Sequence, residues 1–166
     1  MIRSLWIVAM LLASCGYHLV GHGDGPGVIP ADVRSLNIIG HDEGEMLLPT
    51  LRNQLATDTL SVTTNAKMVS GNAHHARLIL QLNPVSFAAS AYGVSGIAIQ
   101  YRMVYSGSLT LERDGATIWQ SGLLSEQGEV YVTGDPTSIE ASRQQLLAGL
   151  RKQWLRTAVS RLRSGF

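Results

Sequence analysis

The chain holds one cysteine, two phenylalanines and five prolines in 166 residues, and charged side chains make up only 15% of it. Each shortage excludes something. One cysteine cannot close an intramolecular disulfide or build a multi-cysteine zinc site. Thirteen Lys and Arg stand against twelve Asp and Glu, a balance that leaves no electrostatic footprint for nucleic acid. The longest apolar run, Leu5 to Ala13, is about nine residues long, whereas a permanent helical span of a bilayer needs ~20. No Gly-x-Ser-x-Gly elbow occurs, and no Gly-x-Gly-x-x-Gly follows a strand. His18, His22 and His41 are scattered, and His74 and His75 form the one pair. Adjacent strand residues point to opposite faces, so that pair is poorly placed to grip a metal. No catalytic residue, metal or cofactor is expected, and the chain reads as a non-enzyme.

What the chain does have begins with the position of its cysteine. Arg3 precedes the apolar run, and Leu12-Ala13-Ser14-Cys15 closes it. A basic start, a short apolar segment and a small residue outline a secretory signal, and the last four residues match the bacterial lipobox. In that pattern the cysteine is an acceptor: its thiol takes a diacylglycerol, the peptide is cut before it, and the new amine is acylated. Acyl chains contribute ~0.8 kcal/mol per buried CH₂, and more than one chain makes anchoring stable. Cys15 is therefore the expected lipidation site. The residue after it is Gly16, not the Asp that retains bacterial lipoproteins at the inner membrane, which points to the outer membrane.

The expected organisation is a signal peptide over 1–14, an anchor and flexible linker over 15–30, and an α+β domain over 31–166. "GHGDGPGVIP", Gly21 to Pro30, is too rich in Gly and Pro to pack. Val33 to Ile39 reads as a strand. Asp42 is a candidate N-cap with Glu43 and Glu45 in the first turn, and Met46, Leu47, Leu48, Leu51 and Leu55 follow at helical spacing. This helix is expected to end near Thr59, with Pro49 tolerated in its first turns. Leu60 to Thr64 is a second short strand, and the segment from Lys67 to His75 a turn.

The centre is β. Leu78, Leu80 and Leu82 share a face, yet Val85 and Phe87 continue the apolar set with opposite parity. A one-residue slip would turn half the strand over, so a bulge is expected at Asn83-Pro84. Ile99, Tyr101, Met103, Tyr105, Leu109 and Leu111 alternate with polar or smaller residues, with Gly107 the exception on the apolar face. That pattern describes a sheet packed on one side. Asp114-Gly115 supplies a hairpin turn. Thr117 to Val132 forms a further strand element, interrupted by Gly122 and Gly128. Thr137-x-x-Glu140 is a capping box before an amphipathic helix of about seven turns that closes near Gly165. The expected fold is two helices packed on one face of a mixed, mostly antiparallel sheet, in the order β-α-β-β-β-β-α.

"CGYHL" at Cys15 to Leu19, the "QYRMVYSGSLTL" strand at Gln100 to Leu111 and the order of elements together resemble the LptE-type lipopolysaccharide-assembly lipoproteins. The resemblance covers essentially all of the chain beyond Ser14. It implies an outer-membrane lipoprotein that plugs and helps assemble an LptD-type β-barrel, contacts lipopolysaccharide on its way to the cell surface, and performs no chemistry on it. It also implies a basic residue in the hairpin tip against lipopolysaccharide phosphates. Here the tip, "SAYGVSGIA", has no charge, and Arg102 is the nearest cation. The expected contact surface is accordingly Tyr92, Gly93, Val94, Gly96 and Ile97 with Arg102. A lipid-anchored regulator of a cell-wall synthase is the alternative, and a lipid-anchored hydrolase a third reading without a catalytic constellation. The last helix carries Arg143, Arg151, Lys152, Arg156, Arg161 and Arg163 against one acid, Glu140. That is either a solvated face or a contact with acidic phosphates or an acidic barrel wall.

Overall fold

The computed structural model describes residues 27–40, 46–64, 74–132 and 136–165. The expected signal peptide, Cys15 and the linker as far as Pro26 lie outside these residues, as do the Asp42 cap with Glu43 and Glu45, most of the turn after Asn65, and the side chain of Thr137. The end of the expected linker does pack, contrary to its composition: Val28 and Ile29 lie against the core. The elements are β1 (Ser35–Gly40), α1 (Leu48–Leu55), β2 (Ser61–Thr63), β3 (His75–Leu82), β4 (Ser86–Tyr92), β5 (Ala98–Arg113), β6 (Ala116–Gln120), β7 (Leu124–Tyr131) and α2 (Pro136–Ser164). They form one mixed sheet and two helices, the α+β arrangement that the sequence pattern predicts.

The alternation along β5 makes it the organising strand. Met103, Tyr105, Leu109 and Leu111 are fully buried. One edge of β5 pairs with β3 over its C-terminal half and with β4 over its N-terminal half, and the other edge pairs with β6 and β7 in the same order. All four ladders are antiparallel. Beyond β3 lie β1 and β2, and β1 runs parallel to both β2 and β3. β1, α1 and β2 thus form the parallel-neighbour unit that a helical crossover requires.

The sequence counts five strands because two pairs read as single long elements. Leu82 faces Gly107 and Ser86 faces Val104, so residues 83–85 oppose two residues of β5. That is the one-residue insertion expected at Asn83-Pro84, where Pro84 has no N–H to give to a ladder. Asn83 keeps the two sides together through its backbone N–H to Ser106 O at 2.9 Å. The second break falls at Gly122, whose φ of +67° is left-handed. Gly128, expected to interrupt, lies inside β7 instead. There it makes room for Leu146 of α2, whose Cδ1 would stand 2.7 Å from an added Cβ.

α1 is shorter than expected. It begins at Leu48, with Pro49 in its first turn, and ends at Leu55 rather than near Thr59. The reason is local competition: Thr57 Oγ1 accepts from the Leu60 N–H at 3.1 Å, a turn that a helix could not make. Leu51 and Leu55 bury the inner face of α1. α2 runs for 29 residues and lies across β7 and β5. Leu150, Trp154, Ala158 and Leu162 are buried along it. Trp154 meets Tyr105 edge-on at 6.1 Å between ring centroids, and its indole N–H donates to Leu124 O at 3.1 Å. Trp154 is therefore a core residue that finds a partner for its polar atom. No helix among the described residues is long and apolar enough to cross a membrane.

Candidate functional site

The helices cover one face of the sheet and leave the other polar. On the uncovered face Arg77 of β3 donates to Glu112 of β5 through Nε at 3.1 Å and Nη2 at 2.6 Å. The ladder sets that pair directly opposite. Nearer the hairpin, Arg102 of β5 stands opposite Glu129 of β7. Its Nε lies 2.9 Å and its Nη2 2.7 Å from Glu129 Oε1. Gln100 Nε2 donates to the other carboxylate oxygen of Glu129. Gln100 and Arg102 thus sit on the face opposite the buried Met103, as alternation requires. Arg102 is half exposed but already neutralised by a carboxylate. A phosphate reaching it would have to displace or share Glu129.

At the end of this face the chain turns between β4 and β5. Gly93 N–H donates to Ile97 O at 2.8 Å and Gly96 N–H to Gly93 O at 2.9 Å, which closes a compact loop. Gly96 has φ +77°, a conformation that a side chain at that position would strain. Around this loop the apolar side chains are out in solvent. Tyr92 is 65% exposed, Ile97 68%, and Val94 fully exposed. The sequence places these residues, with Gly93 and Gly96, in one surface, and the loop brings them together.

Two further members come from elsewhere. Tyr131, 73% exposed, is paired with Gln100, and the next residue donates its N–H to Ile99 O at 3.0 Å. β7 therefore delivers an aromatic ring beside the tip. The signal for it was the alternation Glu129, Val130, Tyr131, legible only once β7 is paired with the start of β5. Ile99 is the second, and it corrects an expectation. The alternation makes it a core residue, but it is 42% exposed, because it lies past the end of the helical cover. Tyr101, next on that face, is half-buried and stacks on Phe87 at 4.9 Å and 9°. Arg143 of α2 lies over that Phe87 ring at 5.7 Å and pairs with Glu140 at 3.2 Å. The helical roof ends there.

The opposite end of the sheet is polar and tied to the segment before β1. Asp32 accepts from Arg113 Nη1 at 3.1 Å and from its Nη2 as well. Those hydrogen bonds hold the Asp32 carboxyl below its ordinary value. His74 Nδ1 lies 2.9 Å from Asp32 O, and His75 Nδ1 lies 3.2 Å from Ser35 Oγ. The two histidines have separate partners, and among the described residues no group of His, Cys, Asp or Glu is arranged to hold a metal.

This geometry defines a class of fold: a long central β-strand, roofed by a terminal helix, that carries an uncovered apolar hairpin tip. Several solved structures share the fold. The solution structure of uncharacterized lipoprotein B from Nitrosomonas europaea is 14% identical with a TM-score of 0.62, covering 88% of this chain and 91% of that one. The crystal structure of rare lipoprotein B from Shewanella oneidensis is 14% identical with a TM-score of 0.55, covering 77% and 89%. A minor lipoprotein from Acinetobacter baumannii is 8% identical with a TM-score of 0.56, covering 82% and 95%. No protein-family model matches the chain, and no curated protein matches it in sequence.

Proposed function

We propose that this chain is an outer-membrane lipoprotein, anchored through Cys15, that plugs and helps assemble an LptD-type β-barrel and assists lipopolysaccharide on its way to the cell surface. It acts by binding, with no chemistry on a substrate and no cofactor. The observation that carries the reading is the tip: Tyr92, Val94 and Ile97 of the β4–β5 hairpin are exposed apolar side chains, flanked by Tyr131 at the end of the polar face and by Ile99 at the end of the helix-covered face. Exposed apolar clusters rimmed by polar residues mark sites where another surface is met. The lipobox at Cys15 and the resemblance in "CGYHL" and "QYRMVYSGSLTL" support a lipid-anchored partner of a barrel. So does a fold shared with three proteins that are themselves called lipoproteins.

Affinity capture of the full lipidated chain from detergent extracts tests the proposal. A heat-modifiable outer-membrane barrel as the main partner is the expected result. A penicillin-binding protein in its place would overturn the reading in favour of a regulator of cell-wall synthesis. Cys15→Ala should abolish incorporation of a clickable fatty acid and leave uncleaved precursor, and persistent labelling would sink the anchor assignment.

A further inference from the structure

We infer that the C-terminal half of α2 is a docking face for the anionic phospholipid headgroups of the membrane that holds the anchor. The inference rests on the reading of Cys15 as the lipidation site. Two independent observations meet at this end of the molecule.

The first is charge. Residues 151–165 contain five basic side chains and no acidic one. Lys152, Arg156, Arg161 and Arg163 are exposed. The helix dipole favours cations in the last turn, which accounts for Arg161 and Arg163. It does not reach Lys152 and Arg156, which lie about two to three turns further back. Glu126 of β7 accepts from two neutral side chains of this half of the helix, Gln153 Nε2 at 2.7 Å and Thr157 Oγ1 at 2.8 Å. Among the described residues none of Lys152, Arg156, Arg161 and Arg163 pairs with a carboxylate. Arg163 donates to Gln54 O at 3.2 Å, a neutral partner.

The second is where the tether leaves the domain. Val28 N–H donates to Leu162 O at 3.0 Å. Gly27 lies so close that an added Cβ would stand 2.7 Å from Leu162 O and 3.3 Å from Arg163 Cα. The segment leading back to Cys15 therefore starts against the last turns of α2. Twelve residue steps separate Gly27 from Cys15, which bounds the distance between them at about 40 Å. That distance, together with the length of an Arg side chain, keeps the helix end near the lipid surface on which the anchor sits. Arg matches phosphate with two donors at once. Each cation close to an anionic surface raises surface occupancy about fivefold.

The test uses the lipidated chain reconstituted into vesicles of phosphatidylcholine with or without phosphatidylglycerol. A fluorophore is placed at Ser160→Cys, with a control at Val94→Cys on the tip, and quenching by headgroup-labelled lipid is read. Strong quenching at 160 is expected in phosphatidylglycerol vesicles, weak quenching at 94, and loss of the signal at 160 in high salt or in the variant K152A/R156A/R161A/R163A. Equal quenching in phosphatidylcholine alone, none at 160 in an anchored chain, or a response at 160 to added lipopolysaccharide but not to phosphatidylglycerol would overturn the inference. Failure of the chain to enter vesicles at all would refute the anchor reading instead, and the inference would fall with it.

Discussion

Gly107 of β5 and Gly128 of β7 are mid-strand glycines of the same sheet, and they should respond differently to alanine. Glycine within a strand costs roughly 0.5–1 kcal/mol relative to alanine through backbone entropy, so each substitution starts from a small gain. At Gly128 the added Cβ meets the terminal methyl of Leu146 at 2.7 Å, and a leucine end can swing away. Gly128→Ala should fall within about 0.5 kcal/mol of the parent. At Gly107 the added Cβ meets Gln81 O at 2.6 Å and Leu82 Cα at 3.2 Å. Those are backbone atoms of β3 at the point where β3 gives way to the bulge, so the two strands must part by several tenths of an ångström. Overpacking of this kind costs typically 1–3 kcal/mol. Less the entropy gain, Gly107→Ala should lose about 1–2 kcal/mol, or about 4–8 °C in Tm for a domain of this size. Thermal and urea melts of both variants decide it. A Gly107→Ala melt at or above the parent, or a larger loss at Gly128, would refute the close approach of β3 to β5 at the bulge.

Met103→Ala should cost about 2–5 kcal/mol, because the side chain is fully buried between strand and helix; a melt unchanged by the substitution would contradict the facing of β5. Asp32 has a folded-state pKa below its ordinary value because Arg113 donates to it. Its contribution is thus present above the unfolded value and vanishes as pH falls through the folded one. Asp32→Asn should therefore lower stability slightly at neutral pH and not at all in strong acid, as followed by melts across pH. If Arg102 reaches lipopolysaccharide phosphates, Glu129→Gln should strengthen capture of labelled lipopolysaccharide and Arg102→Ala weaken it, both more at low salt than at high; no change in either variant would remove Arg102 from the contact.

The parts of this fold that were legible in sequence are those set by local pattern. Alternation from Met103 to Leu111 gives the buried face of β5. The parity flip between Leu82 and Val85 gives the bulge, and Asp114-Gly115 gives a turn with φ values of +52° and +80°. The illegible parts depend on which strands become neighbours. Nothing local places β3 between β1 and β5 or sets Tyr131 beside the tip. Ile99 misleads because alternation reports the face of a strand but not how far the helix above it extends. Thr57 to Thr59 misleads because a threonine side chain ends α1 a turn early. At the candidate site, Tyr92, Val94 and Ile97 were readable as an uncharged tip, whereas the partner of Arg102 was not, since Glu129 is brought opposite it only by the β5–β7 ladder.

On the proposed function, the hairpin tip enters a barrel partner. A photo-crosslinking residue at Val94, in the full lipidated chain in living cells, tests it most directly. A single dominant adduct with a heat-modifiable outer-membrane β-barrel is expected. An adduct with a periplasmic or cell-wall protein, or none at Val94 while the same probe at Arg161 captures the barrel, would contradict it.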